Sequence, residues 1–210
     1  IGFAADFTGI SVHHINAHGH AQIFGWVGLF IMGFASQAFP RLWHTTLAAP
    51  RLSVAIFVMM LAGIAIRTAG MTAPAASWSV PAALGGGLLE IVAIALFGGQ
   101  MLVTFRRSNA RLEPYIAFAL ASLGFFFAQA LLSVWHMHRV MTAPTQEALI
   151  NQIATWQAPL RDLQIHGLAL FMILGVSLRM LPALYEVPRI ADRRAWIAFA
   201  LLLAAVVGEA

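Results

Sequence analysis

A chain of 210 residues that is 60% hydrophobic and only 10% charged, with a mean hydropathy of +0.82, excludes an ordinary soluble globule, in which roughly a quarter of residues carry charge. The formal charge of +4 comes from twelve basic residues, all arginine, in short clusters between apolar runs, a distribution that reads as membrane topology rather than nucleic-acid binding. The absence of cysteine removes disulfides, thiolate metal sites, iron–sulfur clusters and covalently attached haem.

The apolar runs are continuous and about 20 residues long rather than alternating, which predicts helices and not a barrel. The expected fold is an all-α integral membrane bundle of six spans forming one domain over 1–210. The start at Ile1 and a last apolar run too short for a full span suggest a fragment of a larger bundle. Ile1 to Asn16, broken by Gly2, Asp6, Thr8 and Gly9, reads as a surface loop or the tail of an earlier element. Spans follow over 17–39, 52–69, 80–105, 114–139 and 160–181, with an incomplete sixth over 195–210. Glu113 and Pro114 suit the first turn of the fourth span. Between spans four and five, Met141 to Trp156 carries Pro144, Glu147 and Asn151 and reads as a short interfacial helix.

Orientation follows from the arginines. Arg41 with Arg51, Arg106 with Arg107 and Arg111, and Arg189 with Arg193 and Arg194 fall in the loops after spans one, three and five, which places those loops on the cytoplasmic side. Arg67, Arg139 and Arg161 stand at the edges of the other loops. The expected location is therefore the bacterial inner membrane, crossed several times, with membrane lipid and other membrane subunits as partners. Seven of the eight histidines (His13, His14, His18, His20, His136, His138 and His166) then lie on the outer, periplasmic side, and only His44 on the inner.

Histidine is the commonest metal ligand and titrates nearest neutral pH, so a cluster of it at a membrane boundary points to function. At roughly 100° per residue, positions two apart on a helix point nearly opposite ways. His18 shares a face with Gln22, Gly25, Gly33 and Ser36, whereas His20 shares one with Phe24, Val27 and Ile31. On span four, Ser122, Gln129, Ser133 and His136 form a polar stripe from which His138 diverges. Polar and small residues face the interior of membrane bundles, so His18 and His136 are the expected interior ligands. His20 and His138 then belong to the water interface or to a second metal, and His13 and His14 are interfacial.

Asp162 and His166 are four apart on one helical face, a spacing that lets the carboxylate accept from the ring N–H of a ligating histidine. Two histidines from facing helices would suit a bis-histidine b-type haem and three would suit copper; the spacing does not choose. Glu90, mid-way along span three with Gly86, Ala93 and Gln100 on its face, costs a few kcal/mol unless paired or protonated. It reads either as a proton relay or as a hydrogen-bond partner of a neighbouring helix.

Spans one and five echo one another. Gln22, Ile23, Gly25, Gly33 and Pro40 recur at a fixed offset of 142 as Gln164, Ile165, Gly167, Gly175 and Pro182, with Phe24 where the second copy has His166. A parallel repeat of four-helix units accounts for both running outside to inside.

The stretch HGHAQIFGWVGLFIMGF, with its proline–arginine exit at Pro40 and Arg41, resembles the NnrS family of haem- and copper-containing bacterial membrane proteins. It is more distantly similar to subunit I of haem–copper oxidases and nitric oxide reductases. The resemblance rests on His18, His20, Phe24 and Gly25 and on the QIHG stretch around His166. It implies a partial chain, b-type haem with copper as a second cofactor, nitric oxide response or respiratory redox chemistry, and His18 and His20 as metal or haem ligands whichever way they face. With His136 from the polar stripe of span four and His166 from its pairing with Asp162, the expected cofactor ligands are His18, His20, His136 and His166. His13, His14 and His138 are further metal candidates, with Asp162, Gln22 and Glu90 supporting them. The competing expectation is a non-catalytic transmembrane subunit of a larger respiratory or photosynthetic complex.

Overall fold

The computed structural model describes residues 11–209, so the expectation for residues 1–10 lies outside the described part. Six helices follow in order, with no strand among the described residues: α1 Val12–Leu42, α2 Pro50–Thr72, α3 Ser79–Arg107, α4 Pro114–Met141, α5 Gln146–Leu184 and α6 Asp192–Glu209. The first five are long and apolar enough to cross a membrane. Trp26, Phe30, Val54 and Leu201 stand two-thirds or more exposed on the flanks, as side chains facing lipid do and the surface of a soluble monomer does not.

Local chemistry sets the helix ends. Pro50 and Pro114 occupy first-turn positions, where the missing N–H removes no hydrogen bond. The Thr145 side chain caps α5 by accepting from the Ala148 N–H at 3.1 Å. At the α1–α2 turn, Gln100 donates to the Ala48 carbonyl at 2.8 Å and the Ala48 N–H donates to Thr104 Oγ1 at 3.0 Å, so α3 satisfies the buried backbone there.

Two segments depart from the sequence expectation. Residues 12–16 belong to α1 rather than to a loop, and the expected interfacial helix over 141–156 is the first part of α5, which continues through Pro159. Pro159 sits a turn before the helix widens into a π-helical segment, Leu163–Leu170, where local re-pairing absorbs the lost backbone bond.

The same widening occurs in α1 over Ala21–Gly28, again at an offset of 142. Further correspondences follow. α6 starts at Asp192 where α2 starts at Pro50, and α5 ends at Leu184 where α1 ends at Leu42. Thus α5 and α6 are the structural repeat of α1 and α2.

Close backbone approach holds the bundle together. A Cβ on Gly86 would stand 2.5 Å from the Arg67 nitrogen and 2.6 Å from the Gly63 carbonyl, and one on Gly70 would stand 2.6 Å from the Ser79 carbonyl. α2 and α3 therefore meet nearly backbone to backbone, as small residues permit in membranes. α5 packs on α4 in the same way: a Cβ on Gly175 would lie 2.9 Å from the Tyr115 carbonyl, and one on Gly167 2.8 Å from the Phe125 ring. The core between the helices is built from Phe24, Ile31, Phe39, Met60, Ile94, Phe97 and Phe126.

The expected facing of α1 is reversed. His20, Phe24, Ile31, Ala35 and Phe39 are buried, while His18, Gln22, Gly33 and Gln37 are exposed. Aromatic bulk and a buried carboxylate partner for His20 draw that face inward, and this outweighs the tendency of small and polar residues to face the interior. At an offset of 142 the bare face of α1 corresponds to a covered one: Leu160, Gln164 and Gly175 are all buried.

Candidate metal centre beside His20

The α2–α3 contact through Gly63 and Gly86 brings two opposite charges together inside the bundle. Arg67 Nη1 donates to Glu90 Oε2 at 2.9 Å, and Arg67 Nη2 donates to the Ser133 carbonyl at 3.0 Å and to its hydroxyl at 2.8 Å. The other carboxylate oxygen, Glu90 Oε1, accepts from His20 Nε2 at 2.8 Å. His20, Arg67, Glu90 and Ser133 are all buried, so α1, α2, α3 and α4 each supply one member of a continuous network. Phe24 lines it, with its ring 4.4 Å from the His20 ring and 5.8 Å from the Arg67 guanidinium carbon. A lone charge at this depth would be costly; a hydrogen-bonded pair removes most of that cost.

Arg67 is the residue that sequence reasoning missed, because it was placed at a span edge. Glu90 supplied the available signal: an intramembrane carboxylate needs a cation, and Arg67 is the arginine farthest inside an apolar run on the adjacent helix.

With Nε2 committed to Glu90, His20 keeps Nδ1 buried and without a hydrogen-bond partner among the described residues. The residue lines a cavity of about 30 Å³, room for a water or a single ion. The lining also includes His13, His136, Met71, Met137 and Met141, the polar residues Asn16, Gln157 and Gln164, and both Arg67 and Arg161. His136 donates through Nε2 to Gln157 Oε1 at 3.2 Å and accepts at Nδ1 from Gln152 at 3.2 Å. Arg161 donates to Gln164 Oε1 at 3.0 Å. His13, expected at the interface, lines the outer part of the cavity, and its Nδ1 is also buried and unpartnered among the described residues.

The remaining candidates lie elsewhere. His14 is exposed and meets the Ser11 hydroxyl at 2.7 Å, and His18 and Gln22 are exposed on the bare face of α1. His138 is half-buried outside the cavity lining, with Nδ1 unpartnered among the described residues. His166 and Asp162 do meet through Nδ1 and Oδ1 as their spacing predicts, but on an exposed flank away from His20 and His136.

The donor set around the cavity fits one small ion and not a porphyrin. Imidazole and thioether together favour monovalent copper, and Glu90 fixes the tautomer that presents His20 Nδ1 as a ligand. His20 and His136 come from facing helices, whereas His13 sits two turns up α1, roughly 10 Å along the axis, and so guards the approach. A haem has no such fit. A volume of about 30 Å³ is far below that of a macrocycle, and the larger clefts beside Phe30, about 360 and 450 Å³, are lined without histidine.

Comparison with protein-family models, with characterised proteins and with solved structures gives no match. The functional reading therefore rests on the geometry and on the resemblance of the α1 motif.

Proposed function

We propose that this chain is an NnrS-like metalloprotein of the bacterial inner membrane that binds copper at the periplasmic end of its bundle and acts in nitric oxide response or respiratory redox chemistry. The carrying observation is that three histidines and three methionines are among the residues lining one ion-sized cavity, with His20 Nδ1 buried and unpartnered among the described residues. His20 would be the histidine ligand, through Nδ1, joined by thioether sulfur from Met137 or Met71; His136 would enter the set only by giving up the hydrogen bond that its Nδ1 accepts from Gln152. Bound copper would supply one-electron chemistry and an open position for a small ligand. Arg67 and Arg161 both line the cavity; Arg67 is balanced by Glu90, whereas Arg161 makes a second cation unfavourable and an anionic or dipolar nitrogen oxide favourable beside the metal. Glu90 and Arg67 hold the histidine in place and keep net charge out of the bundle core.

Elemental analysis of the chain purified anaerobically with reductant tests this. About one copper per chain is expected, lost on His20→Ala and retained on His18→Ala; copper absent from the wild type, or retained equally by both variants, overturns it.

A second reading, a non-catalytic subunit of a larger membrane complex, is favoured by one specific observation: the exposed polar face of α1, with His18, Gln22 and Gln37 turned outward. Lipid cannot satisfy those groups, and another subunit's helix could. Isolation of the chain only within a larger particle, with no copper, would support this reading over the first.

A further inference from the structure

The network around His20 has a counterpart in the second repeat. An offset of 142 takes His20 to Asp162, Phe24 to His166 and Arg67 to Glu209. In the first repeat these three positions converge, since the Phe24 ring lies against both His20 and Arg67. They converge in the second as well: Asp162, His166 and Glu209 bring one ligand atom each to within 4.8 Å of one another. The chemistry has changed. In the first repeat the cation of Arg67 is balanced by Glu90 from α3. In the second, two carboxylates face each other, and His166 is the one basic group paired with either of them among the described residues.

We infer that Asp162, His166 and Glu209 form a separate site for a first-row divalent cation such as zinc, between the middle of α5 and the last described turn of α6. Two carboxylates in close contact repel unless a positive charge sits between them. A neutral histidine does not supply it, and a protonated one leaves a residual negative charge. Asp162 Oδ2 is buried and unpartnered among the described residues, and so is available to a metal while Oδ1 holds the ring of His166. One imidazole nitrogen with carboxylate oxygens is a donor set suited to zinc, and unsuited to the monovalent copper of the His20 cavity. Half-exposed His166 and exposed Glu209 leave the remaining coordination positions open to water.

Zinc binding to the full chain in detergent, measured by competition with a chromogenic chelator, tests this. One equivalent of zinc is expected, with affinity reduced about tenfold or more by Glu209→Gln, by Asp162→Asn and by His166→Ala. Glu209 is exposed, so its substitution disturbs no packed side chain and remains informative even if Asp162→Asn disturbs α5. The measurement is repeated on chain pre-saturated with monovalent copper, where zinc binding is expected to be undiminished. Failure of copper binding would leave the zinc expectation standing. No stoichiometric zinc, or zinc held equally by wild type and Glu209→Gln, or zinc displaced by copper, overturns the inference.

Discussion

Glu90 Oε1 and His20 Nε2 meet at 2.8 Å across seventy residues of sequence, both buried, with the other Glu90 oxygen held by Arg67 at 2.9 Å. This one carboxylate serves two partners: it neutralises the arginine and selects the tautomer that leaves His20 Nδ1 with a free lone pair.

Removing the arginine alone should therefore unfold the bundle readily. Arg67→Met leaves a buried carboxylate without its cation, which costs about 3–5 kcal/mol, read as a lowered midpoint in a mild-to-harsh detergent titration. Arg67→Met combined with Glu90→Leu should recover much of that loss, because no charge then remains inside. A double variant as unstable as the sum of the single ones would deny the pairing.

Backbone contact between α2 and α3 predicts a sharp contrast between two glycines of one helix. Gly86→Ala places a methyl 2.5 Å from the Arg67 nitrogen and should cost about 1–3 kcal/mol through overpacking. Gly99→Ala meets nothing within 4 Å among the described residues and should change stability by no more than about 0.5 kcal/mol. The same detergent titration reads both.

The repeat predicts a second contrast, between equivalent positions of α1 and α5. Gly175→Leu drives a side chain into the Tyr115 carbonyl and the Phe118 Cβ, 2.9 and 3.0 Å from the added carbon, and should prevent α5 from seating on α4. Gly33→Leu, on the bare face with nothing within 4 Å among the described residues, should leave the isolated chain folded. Helical circular dichroism and resistance to trypsin distinguish the two outcomes.

The fold was legible because bilayer thickness imposes continuous apolar runs, and the offset of 142 was visible in Gln22, Gly25, Gly33 and their counterparts. The extent of the repeat was not, since Arg67 and Glu209 share a position but no chemistry, and the paired π-helical widening leaves no residue signature beyond the glycines. The facing of α1 was misjudged for a physical reason. The rule that polar and small residues point inward presumes that every interior face is present in the chain, whereas the partner of His20 is a single carboxylate on α3 and His18, Gln22 and Gly33 of the polar stripe are exposed among the described residues. On α4, where Ser122, Gln129, Ser133 and His136 are all buried, the same rule located the inward face. The methionines of the cavity drew no notice in sequence because Met71, Met137 and Met141 fall outside any motif, and Met71 joins the other two, one turn apart on α4, only when α2 and α4 come together around the cavity.

Copper K-edge X-ray absorption on the chain loaded anaerobically with one equivalent of monovalent copper tests the central claim most directly. The account predicts nitrogen scatterers from imidazole together with a sulfur shell, the sulfur weakened by Met137→Leu with Met71→Leu and the bound copper lost on His20→Ala. A spectrum with oxygen and nitrogen alone, unchanged in the His20→Ala chain, would contradict it.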